Sequence, residues 1–92
     1  MKTRQVDLAE YLETDEDIRE FLKEASETCT TEEFIHALNT AARAKGMTEI
    51  AKQACVSRAS LYKSLSTDGN PRFETINKIV NAFGCHLAIV NH

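Results

Sequence analysis

The chain has 92 residues, of which 42% are hydrophobic and 27% are charged, and its formal net charge is −3 at pH 7. A chain of this length closes one small hydrophobic core, and this composition argues against a disordered tail and against a membrane protein. No apolar run is long enough to span a bilayer and no secretory signal opens the sequence, so we expect an intracellular, cytoplasmic protein.

The charge is divided unevenly along the chain. Residues 1–33 contain eleven acidic and four basic residues, a net charge of −7, whereas residues 34–92 contain three acidic and seven basic residues, a net charge of +4. A basic surface attracts phosphate and an acidic surface repels it, so the two halves favour different partners. Composition alone leaves open the alternative that both are solvated helix faces.

The acidic half contains two predicted helical segments. Residues 7–12 begin with a capping pattern and place their apolar side chains on one side of a short helical turn. Thr14 is followed by three acidic residues and then by apolar residues at helical spacing, which predicts an amphipathic helix over Asp15–Thr28. We therefore predict an acidic helical extension over residues 1–30 that packs on the rest of the domain.

The main domain is predicted over residues 31–92. Residues 30–33 form a capping box that opens a helix over about Glu32–Lys45, and Gly46 stands where this helix stops. Another helix begins at about Phe73 after a turn signal and ends at Gly84.

Two short helical segments lie between these helices. They cover about Glu49–Ala54 and Arg58–Leu65, and the three residues 55–57 leave room only for a tight turn. This is the layout of a helix-turn-helix, whose second helix enters the DNA major groove. Cys55 stands where such turns commonly have Gly, because the backbone there prefers a positive φ, so we expect either strain at Cys55 or a slightly different turn. The residues that we expect to be buried in this unit are Ile50, Ala51, Ala54, Val56 and Leu61.

The end of the chain is predicted to be its one strand. Residues 85–90 are apolar and include β-branched side chains, and no other segment has a strand pattern. The backbone groups of a strand need a partner, so we expect antiparallel pairing across a homodimer, with Leu87, Ile89 and Val90 at the interface. The alternatives are addition to a sheet in another protein, or an irregular segment that covers the core. The predicted fold class is thus all-α, a compact helical bundle with one short C-terminal strand.

The second short helix carries the candidate DNA contacts. Arg58 lies in its first turn, where a guanidinium can bind guanine O6 and N7 with two hydrogen bonds. Ser57 can cap the helix and contact a phosphate, and Tyr62 can reach a sugar or a phosphate. The alternatives are that the charged residues are only solvated and that Tyr62 only packs on the protein surface. The predicted contacts to double-stranded operator DNA are Lys52, Ser57, Arg58, Ala59, Ser60, Tyr62 and Lys63.

Three stretches of this half carry a resemblance to a known family: residues 44–51, 57–66 and 69–71. They resemble the Xre or lambda-repressor-like helix-turn-helix family and, more narrowly, the probable addiction-module antidotes or HigA-like antitoxins. Residues 7–12 and 87–90 are also similar to that group. The resemblance implies a DNA-binding antitoxin that represses its own operon and neutralises a small RelE-like toxin. Many relatives have a phosphate-contacting Gln near Glu49, where an acid would repel phosphate.

The acidic segment is the candidate surface for the toxin that this resemblance implies. Opposite charge would speed association with a basic toxin, while affinity would come from apolar side chains that the fold leaves uncovered. The candidates are Tyr11, Leu12, Phe21 and Leu22, and the alternative is that they belong to the core.

Two further functions remain open at this point. One is a stand-alone regulator of the phage-repressor type without a toxin, and the other is a protein-interaction module with a degenerate helix-turn-helix. Catalysis is not expected, because Ser57 and Ser60 lack a His or an acid at motif spacing. The three cysteines are widely spaced and His86 lacks a second ligand pair, so we expect no metal and no cofactor.

Overall fold

The computed structural model describes residues 8–28, 30–66 and 71–88, and all regular structure within them is helical. The all-α class is therefore confirmed. A 3-10 helix over Leu8–Tyr11 precedes five α-helices: α1 (Asp15–Thr28), α2 (Thr31–Lys45), α3 (Met47–Gln53), α4 (Arg58–Ser64) and α5 (Phe73–Ala82). None of these helices is long and apolar enough to cross a membrane.

Both long helices begin with side-chain caps, of which the sequence predicts the capping box at Thr30. Thr30 Oγ1 accepts a hydrogen bond from Glu33 N at 3.2 Å, and Glu33 Oε1 accepts one from Thr30 N at 2.9 Å. At the start of α1, Thr14 Oγ1 accepts from Asp17 N at 3.0 Å, and the Asp17 carboxylate accepts from Thr14 N at 3.3 Å. These reciprocal bonds satisfy backbone donors that a helix start leaves without partners, which is why the helices begin there.

One core extends through all five helices. The apolar face of α1 packs on α2 and buries Ile18, Leu22 and Ala25. The largest fully buried side chains come one from each of the other helices, so each helix is anchored at its centre. They are Leu38 in α2, Ile50 in α3, Leu61 in α4 and Ile79 in α5. The division into an extension over 1–30 and a domain over 31–92 stays a prediction.

An ion pair joins the start of α1 to the end of α2. Lys45 Nζ lies 2.6 Å from Asp15 Oδ1, and this hydrogen bond, with the attraction between the charges, holds the pKa of Asp15 below its ordinary value of 3.8. A depressed folded-state pKa means that the pair stabilises the fold above the unfolded-state pKa. That contribution is lost as the pH falls through the folded-state pKa. Asp15 is exposed, so the contribution is small.

The turn between α3 and α4 has the backbone that the sequence predicts. Cys55 has a φ of 61°, in the left-handed region that a residue with a Cβ rarely adopts, and its side chain is exposed. Gly46, which ends α2 and precedes α3, has a φ of 116°. The predicted positive φ at position 55 is thus confirmed, and the turn stores backbone strain.

Replacing Cys55 by Gly should therefore stabilise the protein. Removing the Cβ relieves the left-handed strain, so we expect the free energy of unfolding to rise by about 1 kcal/mol. Urea denaturation measures it. Cys55→Ala, which keeps the Cβ, is the control and should stay within about 0.5 kcal/mol of the parent. A Gly variant no more stable than the Ala variant would show that the turn is unstrained.

The predicted C-terminal strand is wrong. Residues 85–88 have no regular secondary structure, and all regular structure in the described residues is helical. The chain instead leaves α5 through a Schellman motif: Gly84 has a φ of 81°, and Cys85 N donates to Val80 O at 3.3 Å. Leu87 is half-buried against the core, while Ile89 and Val90 lie outside the described residues.

Residues 85–88 are therefore an irregular segment that covers the core. Their burial alternates, with His86 and Ala88 exposed. The predicted strand pairing across a dimer is therefore wrong as well, whereas the assignment of Leu87, Ile89 and Val90 to a dimer interface stays a prediction.

Candidate functional site

Buried apolar side chains hold together the unit formed by α3, the turn and α4. Ile50, Ala54 and Leu61 are buried as predicted, whereas Val56 is half-buried. Val56 N donates to Ala51 O at 3.0 Å, so the turn is also bonded back to α3. Apolar contacts and turn hydrogen bonds together fix α4 relative to α3, as a helix-turn-helix requires.

Ser57 caps α4 as the sequence predicts. Its backbone is extended, and its Oγ accepts a hydrogen bond from Ser60 N at 3.0 Å. The side chain remains exposed at the start of the helix. This position combines an exposed hydroxyl with the unpaired N–H groups of a helix N-terminus, both of which suit a phosphate oxygen.

Removing the Ser57 hydroxyl should destabilise the protein. We expect Ser57→Ala to lower the free energy of unfolding by about 1 kcal/mol, because one backbone donor loses its partner. Thermal unfolding followed by circular dichroism measures the loss. Ser60→Ala is the matched control, since it removes an exposed hydroxyl that is not a cap, and we expect a change below about 0.5 kcal/mol. Equal effects of the two substitutions would argue against the cap.

The outer face of α4 carries an arginine and a tyrosine that contact each other. Arg58 Nη2 donates to Tyr62 Oη at 3.3 Å, and the guanidinium carbon lies 5.7 Å from the centre of the Tyr62 ring. Ala59, Ser60 and Lys63 are also exposed on this helix. Sequence reasoning missed the contact, although a spacing of four residues on a helix signals it. The arginine is thus held along the helix surface.

The exposed face of α3 has mixed charge. Gln53 Nε2 donates to Glu49 Oε2 at 2.7 Å, and Lys52 is exposed between them in sequence. A carboxylate in this place repels phosphate, so Lys52 is the group on α3 that suits a DNA backbone.

The four candidate toxin contacts differ widely in exposure. Tyr11 is 64% exposed, Leu12 and Phe21 are half-buried against the core, and Leu22 is only 4% exposed. Of these four residues, Tyr11 is therefore the one that a partner can reach most readily, while Leu22 supports α1 from the core. We call the four exposed glutamates of α1 the acidic α1 face: Glu16, Glu20, Glu24 and Glu27.

The described residues offer no evident ligand set for a metal. They contain no group of three or more His, Cys, Asp or Glu side chains that could hold an ion. Cys55 and Cys85 are free thiols.

Comparison with known proteins places the chain in a family. A family model described as "Probable addiction module antidote protein" matches residues 2–91. An uncharacterized protein of Haemophilus influenzae (strain ATCC 51907 / DSM 11121 / KW20 / Rd) is 39% identical over 83 residues, which cover 90% of this chain and 86% of that protein. No solved structure is similar enough to count as a match. The chain therefore belongs to the family of probable addiction module antidote proteins.

Proposed function

We propose that this chain is the DNA-binding antitoxin of a type II toxin–antitoxin module, which neutralises a RelE-like toxin and represses its own operon. The observation that carries the proposal is the family match over residues 2–91, because an antidote implies a toxin partner and a regulatory, non-enzymatic role. The finer resemblance to Xre and HigA-like proteins remains part of the proposal. So does a cytoplasmic location.

In this proposal α4 is the recognition helix and lies in the major groove. Arg58 reads a guanine, with Lys63 beside it, while Lys52 and Ser57 bind phosphates and Tyr62 binds a sugar or a phosphate. The support is that these side chains are exposed on one short unit whose core fixes its geometry. Ala59 and Ser60 complete the face that would approach the bases.

The toxin binds elsewhere, on the acidic segment. Tyr11 supplies the exposed aromatic contact, Leu12 and Phe21 add half-buried apolar surface, and the acidic α1 face attracts a basic toxin. DNA would repel a surface with this many carboxylates, so the toxin and the DNA bind to different surfaces of the protein.

A homodimer remains part of the proposal, although not through a strand. Two-fold operators are bound by two recognition helices, one in each half-site, about one DNA turn apart. Each copy would supply one α4.

Binding to the DNA upstream of its own gene tests the DNA-binding half of the proposal. We expect this DNA, which we call the operator, to bind at least about a thousandfold more tightly than a shuffled sequence at physiological salt. Fluorescence anisotropy with both DNAs measures the ratio. Equal affinities would contradict operator recognition and favour the protein-interaction module.

A second observation distinguishes an antitoxin from a stand-alone regulator that has no toxin. A short basic reading frame beside this gene supports the antitoxin, and co-purification of its product with the full chain establishes the partner. Operator binding without any such partner would leave a repressor that has no toxin.

A further inference from the structure

An amide side chain connects α2 to the far end of α4. Asn39 is half-buried on α2, and its Nδ2 donates to the backbone oxygen of Leu65, the residue that caps the C-terminus of α4, at 3.1 Å. Its Oδ1 accepts a hydrogen bond from Arg43 Nε at 3.0 Å. The last carbonyls of a helix lack partners within the helix, so Asn39 satisfies one that would otherwise need another donor.

Both the Nδ2 and the Oδ1 of Asn39 form hydrogen bonds, so this position requires an amide side chain. The amide donates to a carbonyl on one side and accepts from a guanidinium on the other. Aspartate could keep the contact with Arg43, but its second oxygen would face the Leu65 carbonyl and repel it. Alanine would remove both bonds.

The bond adds direction to contacts that have none. Leu61 and Leu65 anchor α4 in the core, and this packing restricts the angle of the helix but still allows a range of tilts. Ser57 and the turn fix the N-terminal end of the helix. A hydrogen bond has a preferred geometry, so the bond from Asn39 constrains the C-terminal end as well.

We infer that Asn39 is a positioning residue: by holding the Leu65 carbonyl it sets the tilt of α4 and thereby the discrimination between operator and other DNA. The inference rests on the proposed DNA-binding function. Base contacts need two aligned hydrogen bonds, whereas phosphate contacts tolerate small shifts of a side chain. Losing the anchor therefore reduces specific binding more than non-specific binding.

The test compares Asn39→Ala and Asn39→Asp with a variant destabilised on another helix. Ala25→Gly serves as this control, because it weakens the C-terminal part of α1 and changes no residue of α4. Anisotropy with operator and shuffled DNA is measured at a temperature where circular dichroism shows every variant folded. We expect both Asn39 variants to lose about tenfold in the operator-to-shuffled affinity ratio and Ala25→Gly to keep it. An unchanged ratio in the Asn39 variants, or an equal loss in Ala25→Gly, overturns the inference.

A measurement without DNA separates this inference from the proposed function. Amide hydrogen exchange should accelerate at the end of α4, from Lys63 to Leu65, in Asn39→Ala by more than the global loss of stability explains. Exchange that changes only as in Ala25→Gly would show that Asn39 does not anchor the helix. If the parent protein itself does not distinguish operator from shuffled DNA, the proposed function fails and the specificity role fails with it. The exchange result then still decides whether Asn39 holds α4.

Discussion

Arg58→Ala should weaken operator binding by about 1 to 3 kcal/mol and change binding to shuffled DNA much less. Arg58 is exposed in the first turn of α4, and its guanidinium can make two parallel hydrogen bonds to one guanine. Its contact with the Tyr62 hydroxyl holds the side chain along the helix before DNA arrives. Fluorescence anisotropy at fixed salt gives both affinities.

Lys52→Ala is the matched control for Arg58→Ala. Lys52 is an exposed cation outside α4, so its loss should weaken all sequences alike and lower the salt dependence by about one unit of slope. Equal losses of Arg58→Ala on operator and shuffled DNA would instead make Arg58 a phosphate contact.

Tyr11→Ala should cost about 2 kcal/mol or more in toxin affinity, the size expected of an aromatic anchor at a protein interface. Tyr11 is 64% exposed, so its removal should leave the free energy of unfolding almost unchanged. Calorimetric titration with the product of the neighbouring gene measures the affinity. Phe21 would be a poorer choice, because it packs against the core and its loss would also destabilise α1.

The double variant with Glu16→Gln and Glu20→Gln is the comparison for Tyr11→Ala. Both carboxylates are exposed on the acidic α1 face, and we expect their loss to slow association more than it speeds dissociation. If Tyr11→Ala binds the toxin as tightly as the parent does, the apolar contact lies elsewhere.

Local signals in the sequence predicted most of the helical framework. The helix over Asp15–Thr28 has the predicted bounds, and the capping box at Thr30 is present. Position 55 has the positive φ that its place in the turn predicts. These features depend on residues within a few positions of one another, so the local sequence is enough to predict them.

Contacts between distant residues could not be predicted in the same way. Lys45 and Asp15 are 30 positions apart, and Asn39 and Leu65 are 26 apart, so neither pair has a local spacing that signals it. The strand failed for a related reason. Residues 85–90 have the apolar, partly β-branched composition of a strand, but composition does not establish the backbone pairing that a strand needs.

Rescue of growth is the most direct measurement of antitoxin function through separate surfaces. The product of the neighbouring gene is expressed from an inducible promoter, and the full chain is supplied from a second, constitutive promoter as the parent, as Arg58→Ala or as Tyr11→Ala. We expect the parent and Arg58→Ala to restore growth and Tyr11→Ala to restore it poorly, because Tyr11 is exposed on the proposed toxin surface and Arg58 lies on α4. Failure of the parent to restore growth would contradict the antitoxin function. Full rescue by Tyr11→Ala together with loss of rescue by Arg58→Ala would contradict the assignment of the toxin to the surface around Tyr11.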